Sequence, residues 1–250
     1  MAVFAFTDAE ILAGPLRLTG RSNEVDLTIE SNALDITTFD DDGWTTLLGG
    51  IRSASASSAG FIDFDVIESG ALTFDSELFT ELGSTQYPLT ICPTKTDGST
   101  AYVMGYKRAS LSMLGTVGDA GPYNSAMWGD GVVGRGALIH PANVLRTSTG
   151  TGTAVVLGTV ATGRSVVAAI HILAVTGTSP EITVVIQRDD GAGFASPTTV
   201  ASLGPVSAPD SSLTVVAGPI TPDDRYRVSY TISGTNPSVR FAAAVGITPA

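Results

Sequence analysis

Asn23–Phe39 reads NEVDLTIESNALDITTF, and the order of its side chains decides the fold class. Val25, Leu27 and Ile29 alternate with Glu24, Asp26, Thr28 and Glu30, and Leu34, Ile36 and Phe39 continue the series around Asp35. A period of two belongs to a strand, because successive side chains leave an extended backbone on opposite faces. The segment is expected to form half-buried strands, one face packed and the other wet and acidic.

The rest of the chain agrees with a mainly β reading. Of its 250 residues 43% are hydrophobic and only 15% charged, so there is ample material for a core, and Thr, Ser, Val, Gly and Pro are frequent, as suits short strands and tight turns. The net charge of −11 is uneven: residues 1–150 hold eight basic against 18 acidic side chains, and residues 151–250 five against six. An acidic surface argues against affinity for nucleic acid or an anionic membrane. A lone cysteine, Cys92, can form no internal disulfide, and MAVFAFTDAE lacks the basic start of a secretory signal, so synthesis in a reducing cytoplasm is expected. The longest apolar run, Val166–Val175, contains His171 and is half the length of a membrane span; it reads as a buried strand.

Along the chain, Ile51–Val66 (IRSASASSAGFIDFDV) reads as a long strand whose Ser/Ala section needs something packed closely against it. Thr73–Gly83 reads as one short helix, with Asp75 as N-cap, Gly83 as C′ residue and Phe74, Leu78, Phe79 and Leu82 on one stripe. Tyr87–Ile91, Ala101–Leu114 and Val132–Val144 read as strands, and residues 118–131 (GDAGPYNSAMWGDG) as a loop. Residues 146–153 (RTSTGTGT) read as a flexible linker, which divides the chain into domains of residues 1–148 and 149–250. Beyond it, strands at 154–157, 165–175, 181–188, 198–203, 212–216, 225–232 and 239–245 suggest an Ig-like two-sheet sandwich.

Few residues carry catalytic chemistry. Two histidines and one cysteine leave little room for a metal site, and His140 and His171 both read as structural. No nucleophile elbow or phosphate-binding loop is present, which argues against an enzyme, and no cofactor is implied. Asp189-Asp190-Gly191 reads as a turn in preference to a calcium loop. Asp40, Asp41 and Asp42 precede Gly43-Trp44 and Leu47-Leu48, and exposed apolar residues on a loop call for a partner, so this is the candidate interaction loop.

The succession of NEVDLTIESNALDITTF, a Gly-Trp loop, IRSASASSAGFIDFDV, the helix FDSELFTELG and a Tyr-Pro-Leu strand resembles major tail tube proteins of long non-contractile-tailed bacteriophages. LGTVATGRSVVAAIHILAVTGTSPEITVVIQRDDGAGFASPTT and GPITPDDRYRVSYTISGTNPSVRFAAAVGI resemble an accessory β-sandwich found at the C-termini of phage tail proteins. The resemblance implies a tail-tube-type β-barrel followed by a separate sandwich, in a non-enzymatic virion protein that forms hexameric rings. The rings would stack into a tube that meets a tape measure protein within and tail-tip and terminator proteins at its ends, and that passes DNA without binding it. Trp44, Leu47 and Leu48, with Asp40 to Asp42, would then make the contact between rings. Glu24, Asp26, Glu30, Asp63 and Asp65 would face the lumen and repel phosphate over a Debye length of about 8 Å. Two other readings stay open: a monomeric adhesion or carbohydrate-binding protein with a platform of Trp44, Tyr123 and Trp128, and a terminator or baseplate-proximal ring.

Overall fold

The computed structural model describes residues 7–41, 44–62, 74–83, 85–116 and 120–250. The expected positions Asp42, Asp63 and Asp65 lie outside them. The elements are β1 (Glu10–Ala13), β2 (Leu16–Arg17), β3 (Ser22–Asp35), a 3-10 turn (Phe39–Asp41), β4 (Leu47–Phe61), α1 (Phe74–Thr80), β5 (Tyr87–Cys92), β6 (Thr100–Met113) and β7 (Pro122–His140). They continue with β8 (Leu145–Arg146), β9 (Gly150–Thr151), β10 (Val155–Val156), β11 (Ser165–Asp189), β12 (Thr198–Val206), β13 (Asp210–Ala217) and β14 (Arg225–Ile247). The fold is mainly β, one antiparallel sheet with a single short helix among the described residues.

Only the second half of β7, from Val132 onward, was legible as a strand. Residues 118–131 were expected to be a loop, yet β7 begins at Pro122 and pairs with β6 along its length. Its small residues are what let it lie between neighbours: Tyr123, Ser125 and Met127 point into the core, while Asn124, Ala126 and Trp128 point out. The other edge of β7 is shared, residues 122–128 pairing with β4 and residues 135–140 with β14. Gly136 sits where β14 crosses, and a Cβ there would overlap the Val245 carbonyl.

Through this shared strand the two halves of the chain form one sheet over separate cores. Ile11, Leu18, Leu78, Leu89, Tyr106 and Met127 belong to one buried cluster; Ile170, Val184, Val228 and Phe241 belong to another. A smaller cluster of Cys92, Val103, Leu138, Val167 and Ala244 joins them. His171, fully buried on β11, reinforces the junction: its Nδ1–H donates to the Gly14 carbonyl (2.7 Å), which leaves Nε2 to accept from the Thr90 hydroxyl (2.9 Å). The 146–153 segment is accordingly no free tether. Arg146 pairs with Val239, and Gly150 and Thr151 with Tyr230 and Ser229, because the long β14 offers an edge that the small residues can follow closely.

In the second half, expected strands 165–175 and 181–188 are one strand, β11, and 225–232 and 239–245 are one strand, β14. Register shifts at Thr176 to Glu181 interrupt the β11–β14 ribbon, where Gly177 and Gly234 take positive φ. Side chains from both parts of the ribbon, Ile170 and Ile186 among them, meet in one core, so the irregularity lets a single pair of long strands supply both walls.

Candidate assembly surface

The surface is built from β3 and β4. These strands pair from Ser22↔Gly60 to Asp35↔Leu47, but β7 supports β4 only from Ser55 onward. Among the described residues, 47–54 of β4 thus pair with β3 alone; Arg52 still donates to the Ala250 carbonyl (2.6 Å) and Ala54 packs on the first core, and beyond them residues 47–51 stand clear of the sheet as an arm of about 15 Å at roughly 3.3 Å per residue.

The arm is apolar where water meets it. Leu34, Ile36, Phe39, Leu47, Leu48 and Ile51 are all exposed, and Trp44 is 80% exposed. The expected packing of Leu34, Ile36 and Phe39 is therefore corrected: the alternation that packs Val25 and Leu27 onto the first core runs on past the end of that core. A bulge near Asn32 and Gly50 shifts β4 by one residue, which puts Leu48 opposite Leu34 and Leu47 opposite Asp35. Consequently both faces of the arm carry leucine.

The acids of the tip hold its shape. Asp41 Oδ2 accepts from the Thr38 backbone N–H (2.5 Å) and hydroxyl (3.0 Å), and its Oδ1 accepts from the Thr46 hydroxyl (2.7 Å). The Thr38 N–H, then the two hydroxyls, hold the Asp41 carboxyl below its ordinary pKa. Asp35 Oδ1 accepts from the hydroxyl and N–H of Thr37, and these bonds lower its pKa in the same order. Asp40 is exposed beside them. Asp41 is thus a brace across the turn that presents Trp44.

On the supported part of the hairpin, Glu24, Asp26 and Glu30 share one exposed face with Thr28. Their cross-strand partners Ala59, Ser57 and Ser53, with Ser55, continue the face over β4. Asn124 and Ala126 of β7 and Ser110 and Ser112 of β6 extend it. The result is a broad face of small side chains with a row of carboxylates along β3. On its other side Ala54, Ala56 and Ser58 pack inward, where the Ser58 and Ser22 hydroxyls bond the Tyr123 hydroxyl at 2.9 and 2.5 Å. This answers what the Ser/Ala section needs packed against it. It also removes the expected aromatic platform: Tyr123 is buried, while Trp128 lies on the small-residue face opposite Ser55 and Lys107.

Beneath the sheet, α1 is clamped by chemistry that the sequence did not signal. Glu81 Oε2 accepts from Arg108 Nη2 (2.5 Å) and from the Tyr106 hydroxyl (2.8 Å), and Arg108 also donates to Ser125; both charged residues are buried. Burial first, then the Glu81 charge, raises the Tyr106 pKa well above its usual value, so the hydroxyl stays a donor. The helix begins at Phe74, so Asp75 lies in its first turn, not at its cap. Leu78 is buried as expected and Phe79 is exposed. Gly83 takes the positive φ of a C′ residue and its N–H donates to Arg108 O.

The histidines and the Asp189 turn are structural in geometry. His140 stacks on Phe241 with centroids 3.9 Å apart, donates from Nδ1 to the Phe241 carbonyl and accepts from Arg146 Nε at Nε2. Burial, with Arg146 adding to it, lowers its pKa to about 4; burial does the same for His171. Asp189 accepts from the backbone N–H groups of Gly191 and Ser196, closing a turn. Among the described residues no cluster of three His, Cys, Asp or Glu side chains is placed to hold a metal.

No protein-family model and no curated protein matches the chain. Among solved structures it is similar to a chain from the virion of a native gene transfer agent particle, at 21% identity and a TM-score of 0.40, over 49% of this chain and 92% of that one. The SPP1 tail tube overlaps it at 9% identity and a TM-score of 0.40, over 52% of this chain and 77% of the other. The SPP1 Dit protein, described as a hub adsorption apparatus, overlaps at 12% identity and a TM-score of 0.33, over 96% and 99%.

Proposed function

We propose that the chain is a structural subunit of a phage-type tail, residing in the virion, that assembles with copies of itself into stacked hexameric rings. One observation carries the reading: a projecting two-stranded arm with apolar side chains on both faces and around its tip. Burying each large apolar side chain is worth about 1.5–3 kcal/mol, and a lone arm forgoes that stabilisation. A neighbouring subunit would cover it, and the distal edge of β4, left free by β7, would pair with that neighbour.

In this arrangement Trp44, Leu47 and Leu48 anchor one ring on the next, and Asp41 holds the loop that presents them. The face of Glu24, Asp26 and Glu30 lines the channel, where carboxylates and short side chains let a polyanion slide without adhering. The second unit, residues 149–250, rides on the outside. A tape measure protein within the channel and terminal tail proteins at its ends complete the set of partners.

Electron microscopy of the purified protein over a concentration series tests this. Rings or tubes with an open channel, the tubes shortened on Trp44→Ala substitution, are expected. A protein that stays monomeric throughout, with and without a tail-tip complex, would contradict the proposal.

A further inference from the structure

Where the base of the arm meets the second half of the chain there is a groove of about 230 Å3. Ile29 and Ala54 of the hairpin, Val132 and Val133 of β7, and Pro249 give it an apolar lining, and Ile29 and Val132 are exposed. Its surroundings are basic. Arg52 lines the groove, and Arg164 sits between the lining residues Gly163 and Ser165, with its Nε donating to the carbonyl of Thr248, also in the lining (2.7 Å). Arg135 is exposed opposite Ile247, the residue before Thr248. Among the described residues none of these three arginines is in an ion pair, in a chain whose net charge is −11. The adjacent carboxylates are turned elsewhere: Glu30 alternates with Ile29 onto the other face of β3, and Asp130 pairs with Lys107 (3.2 Å).

The arm carries the opposite character. Residues 31–51 contain four aspartates and no basic side chain, and Asp40 stands exposed close to Trp44, Leu47 and Leu48. The tip cannot turn back onto the groove of its own chain. The ladder runs unbroken in direction from Ser31↔Arg52 to Asp35↔Leu47, which holds the tip about 15 Å or more beyond Arg52.

We propose that this arginine-flanked groove receives the acidic, apolar tip of the β3–β4 arm from another copy of the chain. The inference rests on the ring-forming reading above and names the surface that the arm grips. Apolar side chains of the tip cover Ile29 and Val132, while Asp40 meets the arginines; the charges set approach and register more than affinity. Donor and acceptor are different surfaces of one chain, so each copy gives one arm and takes another. A contact of that heterologous kind propagates as a closed ring or an open stack.

Disulfide trapping between full-length chains tests the pairing, with Leu47→Cys or Leu48→Cys protein mixed with Val132→Cys protein. Leu114→Cys, exposed near the far end of β4, serves as the comparison site. Burial pushes the native Cys92 thiol up, which keeps it out of the exchange. A covalent dimer of tip and Val132 chains is expected. Bonds to Leu114→Cys alone, bonds from tip to tip alone, or no bond would overturn the proposal. As an independent readout, Val132→Asp should raise the concentration needed for assembly tenfold or more with the thermal midpoint of the monomer unchanged; assembly at the ordinary concentration would also overturn it. Wild-type rings in electron micrographs without a tip-to-groove bond would strike the groove and leave the tail-subunit reading standing, whereas a wild type that never assembles would strike both.

Discussion

Leu34 and Leu48 lie directly opposite one another across the arm, 54% and 52% exposed, on a stretch where, among the described residues, β4 pairs only with β3. A cross-strand leucine pair facing water contributes little to the isolated fold and much to whatever covers it. Replacing both with Asp should leave the thermal midpoint nearly unchanged while abolishing assembly, as read by sedimentation velocity. Unaltered assembly would remove the arm from the interface.

Trp44 makes a sharper test of the tip. Trp44→Ala should change monomer stability by less than about 0.5 kcal/mol, as for an exposed side chain, yet weaken ring stacking by about 2 kcal/mol or more if it is an anchor. Shortened tubes at a given concentration are the expected readout.

The brace predicts an acid limit for tip order. Hydrogen bonds lower the folded pKa of Asp41 and of Asp35, so their contribution is present above the ordinary carboxylate range and is lost as pH falls through the lowered values. Amide exchange at residues 37–46 should rise on acidification below that range, and Asp41→Asn should reproduce the effect at neutral pH. Asp40→Asn should not.

His140 and His171 act at milder acidity. Their folded pKa values of about 4 lie below the ordinary 6.5, so both groups bind protons more readily when unfolded. Stability is fully present above pH ~6.5 and falls as pH drops towards 4, by up to about 3 kcal/mol for each histidine. Urea unfolding at a series of pH values measures this, and His171→Gln should flatten the slope.

Glu81 and Arg108 form the buried pair that holds α1 to the sheet. Removing one partner strands the other charge, so Glu81→Ala or Arg108→Ala should cost about 3–5 kcal/mol, whereas an apolar replacement of both should cost much less. Denaturation of the two single variants and the double variant gives the comparison.

The first core was legible because Val25 and Leu27 alternate with acids, and alternation is a local signal. It could not say where the core ends, so Leu34, Ile36 and Phe39 read as packed when they are the exposed arm. The first half of β7 was missed, although Val132 onward read as a strand, because Gly, Asn, Ser and Ala between Gly121 and Gly131 carry little strand propensity; they serve close approach to β4 and β6, a property of the neighbours. The Thr/Gly run at 146–153 misled for the same reason. The exposure of Trp44, Leu47 and Leu48 was legible from an apolar group beside three acids, but Asp41 as a brace was not, since its partners Thr38 and Thr46 sit on either side of the turn.

The orientation of one face within an assembled particle tests the central claim most directly. Cryo-electron microscopy of tubes grown from the purified protein should show a hollow channel lined by Glu24, Asp26 and Glu30, with residues 149–250 outside. A tube with that face turned outward, or an assembly in which the β3–β4 arm touches no other subunit, would contradict the account.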